Sequence, residues 1–165
     1  MTRHTAPAPA HRDPIETFEK IERVELIAAE LFHLLAARFA DQPERAELFI
    51  RLEKQEIQHA LRVRMACRDF LVDHGRNGTW QLDEAKLDTM ILQGEDALER
   101  FGGERPKISF DEALAVTQRL ESELAGNHAA LTLAETDPHL KAFFALLSAE
   151  DRALQKTLAA KRNSK

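Results

Sequence analysis

Four long stretches of this chain carry the apolar spacing of amphipathic helices, and each has an acid midway along the stripe that must face inward. In the second stretch Phe49, Leu52, Glu56, His59, Val63, Ala66 and Phe70 recur at steps of three and four. The third keeps the same rhythm through Phe110, Leu114, Thr117, Glu121, Leu124, His128 and Leu131. In the first, Phe18, Glu22, Glu25, Ala29, Phe32, Ala36 and Phe39 set Glu25 in the middle. The fourth offers two overlapping stripes, Phe143–Leu146–Glu150–Ala153 and Leu140–Phe144–Leu147–Asp151–Leu154, so either Glu150 or Asp151 can be the inward acid. Four uncompensated buried carboxylates would cost several kcal/mol apiece, against a folding stability of about 5 to 15 kcal/mol for a whole domain. Any fold that closes these stripes on one another therefore needs positive charge at its centre.

The ends of the stretches are marked by capping residues. Asp13-Pro14-Ile15-Glu16 reads as an Asp N-cap with Pro in the first turn, and predicts a helix from about 14 to 40. Asp41-Gln42-Pro43 breaks it and opens a second helix, free of Gly and Pro until His74-Gly75, so the first two helices form an antiparallel hairpin. Ser109-Phe110-Asp111-Glu112 is a capping box for a helix to about 135, and Asp137-Pro138 starts the last one, to about 161. Between the hairpins, a crossover over about 75–108 holds a shorter helix near 82–101, whose amphipathic pattern can serve to cover the bundle or to pair two chains. The expectation is an all-α four-helix bundle of two antiparallel hairpins over 14–161, with disordered tails at 1–13 and 162–165. Pro43, Phe49 and Leu52 match Pro138, Phe144 and Leu147 at the same offsets, a faint internal repeat of one hairpin.

Two divalent cations would balance four carboxylates, and Glu56-Ile57-Gln58-His59 puts a carboxylate and an imidazole one helical turn apart, able to grip one ion. Oxygen donors with imidazole suit iron, manganese or zinc better than calcium. A single acid on a stripe is ordinary in a chain with 31% charged residues, and a lone core histidine is usually bonded to a neighbour. The metal reading rests on acids at comparable depth in four helices, one of them followed by a histidine at i+3.

With these residues in place the chain resembles the ferritin-like superfamily, most nearly the diiron domain of the rubrerythrin group, over about residues 14–161. The most specific piece is Glu25-Leu26 with Phe32 seven residues after Glu25, followed by Glu56-Ile57-Gln58-His59-Ala60. The resemblance implies Glu25 as a terminal metal ligand, Glu56 as a carboxylate bridging two metals and His59 as an imidazole ligand. It casts Glu121 as the third-helix ligand and Glu150 as the second bridging carboxylate. Two divalent ions, iron foremost with zinc or manganese as alternatives, would then reduce peroxide or oxidise ferrous iron, using oxygen or peroxide and an external electron donor. The sequence departs from that pattern at i+3 from Glu150, where Ala153 stands, and at i+3 from Asp151, where Leu154 stands. His128, two turns beyond Glu121, is the candidate replacement; the alternative is a core histidine bonded to an acid. Ile57 stands where haem-binding relatives carry Met, so no haem is expected.

Composition narrows the remaining classes. The single Cys67 excludes an intramolecular disulfide and a rubredoxin-like iron site, and it suits a reducing compartment. A net charge of −5 with interspersed signs argues against nucleic acid, and no apolar run is long enough for a membrane span. A cytoplasmic protein, paired as a homodimer, is the expectation. The competing readings are a non-catalytic helical module descended from a diiron ancestor, and a subunit of an iron-storage cage.

Overall fold

The computed structural model describes residues 13–75, 84–103, 108–135 and 137–163. Its five helices are α1 (Pro14–Arg38), α2 (Pro43–His74), α3 (Glu84–Gly102), α4 (Phe110–Ala134) and α5 (Pro138–Asn163). The capping residues act as their sequence predicts. Asp13 accepts from the Ile15 amide at 3.0 Å, and Ser109 and Glu112 complete a reciprocal capping box. One Asp137 carboxylate oxygen accepts from the amides of His139 and Leu140, each at 2.9 Å. α1 stops at Arg38 rather than near 40, because the Phe39 and Ala40 amides fall back on the last-turn carbonyls before Pro43 restarts the helix. α5 continues through Asn163, past the expected end at 161. The expected N-terminal tail, apart from Asp13, and residues 164–165 lie outside the described residues, as does Trp80.

α1 packs along α2 and α4 along α5, two hairpins that meet through α2 against α5 and α1 against α4. Two aromatic layers close the bundle core. Phe39, Phe49 and Phe110 pack with centroids 5.5 to 6.1 Å apart, and Phe18 meets Phe70 at 5.9 Å. Glu25 falls between Phe18 and Phe39 on α1, and Glu56 between Phe49 and Phe70 on α2. The acids therefore sit between the layers, where water cannot reach them. Among the described residues no helix is long and apolar enough to cross a membrane. Cys67 is half-buried, and burial with Glu19 and Glu22 nearby raises its thiol pKa, which keeps it a weak nucleophile.

Of the two roles open to the crossover helix, α3 performs the covering one, with Leu87, Met90 and Phe101 buried and the helix lying against α1. It seats closely because position 94 has no side chain: a Cβ there would stand 2.4 Å from the Cγ2 of Ile27. Ile27 branches at Cβ and is buried, so it cannot swing aside freely. Gly94→Ala should gain about 1 kcal/mol of helix propensity and lose about 1 to 3 kcal/mol to overpacking. A net loss of stability in urea unfolding is expected; a gain would mean that α3 is not held against α1 at this point.

Candidate metal centre

Each of the four bundle helices delivers one fully buried carboxylate to the middle of the core: Glu25 from α1, Glu56 from α2, Glu121 from α4 and Asp151 from α5. His59 from α2 and His128 from α4 join them, also fully buried, with ring centroids 6.4 Å apart. Of the two fourth-helix candidates, Asp151 is the one inside. Glu150 stands at the rim, its side chain 34% exposed. The i,i+3 spacing of Glu56 and His59 brings the two side chains together, with Glu56 Oε2 3.4 Å from His59 Nδ1.

The outer nitrogens of both imidazoles are occupied. His59 Nε2–H donates to Glu150 Oε2 at 2.9 Å, and Arg62 donates to the same carboxylate at 3.1 Å. His128 Nδ1–H donates to Asp151 Oδ2 at 2.7 Å. In a neutral ring the other nitrogen then holds a lone pair, and both lone pairs point at carboxylates. His59 Nδ1 lies 3.4 Å from Glu56, 3.6 Å from Glu25 and 3.7 Å from Asp151. His128 Nε2 lies 2.9 Å from Glu25 Oε1, without hydrogen-bond alignment. Lone pairs facing carboxylate oxygens repel unless a cation or a proton lies between them.

Among the described residues, ten buried side-chain nitrogen and oxygen atoms have no hydrogen-bond partner. Nine belong to Glu25, Glu56, His59, Glu121, His128 and Asp151, and the tenth is Oγ1 of Thr117, one turn before Glu121. Native interiors leave few such atoms, and a concentration of them in one place is where an ion, a water or a proton fits. One atom from each of Glu25, Glu56 and His59 falls within 4.8 Å of the others, a spacing that can close around a single cation.

Protonation responds to the same crowding. Burial pushes Glu56 up to about 8, with Glu25 adding to it and His59 opposing it. Burial, then the charges of Glu56, Asp151 and Glu25, raise Glu121 well above the carboxylate range. For Glu25 burial acts upward too, but His128 and His59 outweigh it and hold the acid well below its ordinary value. Burial opposes the imidazolium forms, yet Glu25 and Glu56 raise His59 to about 11, and Glu25 and Asp151 raise His128 to about 9. Without a metal, protons supply the positive charge that the four acids require.

Two features here lie beyond the motif spacing. The choice of Asp151 over Glu150 does have a sequence signal: the offset that relates Pro43, Phe49 and Leu52 to Pro138, Phe144 and Leu147 carries Glu56 onto Asp151. The bond from His59 to Glu150 and Arg62 has none, because it joins side chains on α2 and α5 that no local pattern connects. No family model matches the chain, and no curated protein or solved structure is significantly similar to it.

Proposed function

We propose that this protein is a ferritin-like dinuclear metal protein, with iron the first candidate metal and peroxide reduction or ferrous iron oxidation the reaction class. The observation that carries the reading is the set of nine orphaned polar atoms on six buried residues, four of them carboxylates and two imidazoles. Two divalent ions would neutralise four carboxylates and meet both inward lone pairs, a donor set that fits iron, manganese or zinc. Glu25, Glu56 and His59 would hold one ion, with Asp151 Oδ1 3.7 Å from the inward nitrogen of His59; Glu121 and His128 Nε2 would hold the second, with Glu25, 2.9 Å from that nitrogen, near enough to share. His128 thus takes the part of the histidine missing from α5. Bound iron would supply the redox chemistry toward peroxide or oxygen, and reducing equivalents would come from an external donor.

The chain's own residues orient and shield. Glu150, locked by Arg62, fixes the His59 tautomer so that Nδ1 faces inward, the outer-carboxylate arrangement that tunes metal-bound imidazoles. Glu150 and Arg62 also line an open groove of about 560 Å³ between α2 and α5, so solvent comes within one side chain of the centre.

Anaerobic reconstitution with ferrous iron, and separately with zinc and manganese, tests the reading by metal content per chain. Two ions are expected in the native protein, and fewer in Glu56→Ala and His59→Ala; no retained metal with any of the three would overturn the proposal in favour of a non-catalytic helical module. The roles of the adjacent acids separate in the same assay. Asp151→Ala should lose one ion, whereas Glu150→Ala should retain both at about 10- to 100-fold weaker affinity.

A further inference from the structure

One buried polar atom has no part in the centre as described so far, the hydroxyl of Thr117 on α4. A threonine inside a helix commonly turns its hydroxyl onto the carbonyl four residues back. Thr89, Thr132 and Thr157 do so, donating to the carbonyls of Ala85, His128 and Ala153 at 2.8 to 3.1 Å, and Thr17 donates to Glu84 at 2.8 Å instead. Among the described residues Thr117 is the one threonine whose hydroxyl has no partner. Its helix offers the Ala113 carbonyl at the same spacing, yet Oγ1 forgoes that bond. A buried hydroxyl left without a partner costs stability, so its retention needs a reason.

Packing does not supply that reason. Thr117 stands four residues before Glu121 on the inward stripe, and four residues before the acids of the other three helices stand Ile21, Leu52 and Leu147, all fully buried. An aliphatic side chain fills the equivalent place three times out of four. What the hydroxyl adds is a donor. When metal has displaced the protons of the centre, the other nine orphaned atoms, carboxylate oxygens and inward imidazole nitrogens, have lone pairs and no hydrogen to give. Thr117 Oγ1–H is then the one donor among the ten. It lies one turn from Glu121, the distance at which side chains on a helix are neighbours. In the two-ion reading, on which this step rests, the second ion has Glu121 and His128 and shares Glu25. Counting one donor atom from each, even a four-coordinate metal keeps a position open, and a six-coordinate metal keeps more. A small molecule in that position, beside Glu121, meets acceptors on the protein side everywhere except at Thr117, so the ligand that fits is one that presents a lone pair to a donor.

We propose that the Thr117 hydroxyl is the hydrogen-bond donor of a subsite for a small anionic ligand, of the class of azide, hydroxide or hydroperoxide, at the open position of the second ion. Thr117 binds the ligand and not the metal. Azide is the probe, added to protein loaded with cobalt(II), whose visible absorbance reports a change of ligand. Cobalt(II) binds nitrogen and oxygen donors more tightly than iron(II) or manganese(II), so a site for either holds it. Thr117→Val keeps the shape and removes the hydroxyl, and Thr117→Ser restores the donor without the methyl group. Azide should bind about tenfold or more weakly to Thr117→Val than to the native protein, the loss of one hydrogen bond to a charged group, and within about threefold of native to Thr117→Ser. Cobalt content should be the same in all three chains. Equal azide affinity in native protein and Thr117→Val, equal weakening in the two variants, or no azide binding by the cobalt-loaded native protein would each overturn the inference and leave the two-ion reading standing. A native protein that retains no cobalt would overturn both.

Discussion

Saturating the protein with a divalent cation is expected to raise its melting temperature by about 10 °C at pH 8, with a smaller gain at pH 6. A ligand at a thousandfold over its dissociation constant contributes about 4 kcal/mol, and each kcal/mol moves the melting point of a domain of this size by about 2 to 4 °C. The pH dependence follows from the groups that hold protons in the metal-free centre. His59, His128 and Glu56 have folded pKa values raised to about 11, 9 and 8, and Glu121 is raised as well. A raised folded pKa gives stability that is full below the unfolded value and lost as pH climbs to the folded one. For the two acids the loss begins near pH 4.5, and for the two histidines near pH 6.5. Metal-free protein should therefore lose stability steadily from pH 6.5 to 9. Metal binding runs the other way, because the ion must displace those protons, so affinity rises with pH and protons are released. Differential scanning calorimetry with and without metal should give diverging curves across this window. Parallel curves would mean that the ion binds somewhere other than this cluster.

How much of this was legible in the sequence depends on the range of the interaction concerned. Helix starts are local: an aspartate or serine side chain accepts the free amides of the first turn, followed by a proline after Asp13 and Asp137 and by Glu112 after Ser109, so these three residues mark boundaries directly. Burial of Glu25, Glu56, His59, Glu121 and His128 is nearly local, since each position follows from the 3.6-residue period of its own helix. The fourth helix is harder because two stripes overlap at Glu150 and Asp151, and the packing of α5 against α2 and α4 makes the choice. His128 illustrates the other limit. An i,i+3 rule searches within one helix, while the imidazole completing this cluster comes from α4 and reaches Asp151 on α5. The seat of α3 on α1 at Gly94 is likewise a meeting of distant segments, silent in either segment alone.

Two chemically identical substitutions in this centre are expected to shift metal-free stability in opposite directions. Glu25 is ionised and lies between two imidazolium-forming rings, 2.9 Å from His128 Nε2 and 3.6 Å from His59 Nδ1. Glu25→Gln removes that counter-charge and leaves buried positive charge uncompensated, an effect of about 3 to 5 kcal/mol for a broken buried pair. Glu121 faces mainly other acids, and its raised pKa means that the folded chain at neutral pH must hold a proton the unfolded chain would release. Glu121→Gln keeps the shape and removes that obligation. It should therefore stabilise the metal-free protein, with no gain below about pH 4.5 and growth above it at up to about 1.4 kcal/mol per pH unit. Urea unfolding of both variants at pH 6 and pH 8 measures the contrast. Both should also lose the stabilisation that metal gives the native protein, because each removes an anionic oxygen donor. Carboxylates that only tuned the fold would leave the metal response intact. A loss of stability in Glu121→Gln comparable to that in Glu25→Gln would show that Glu121 is ionised and paired, and would overturn its assignment as a protonated acid of the metal-free centre.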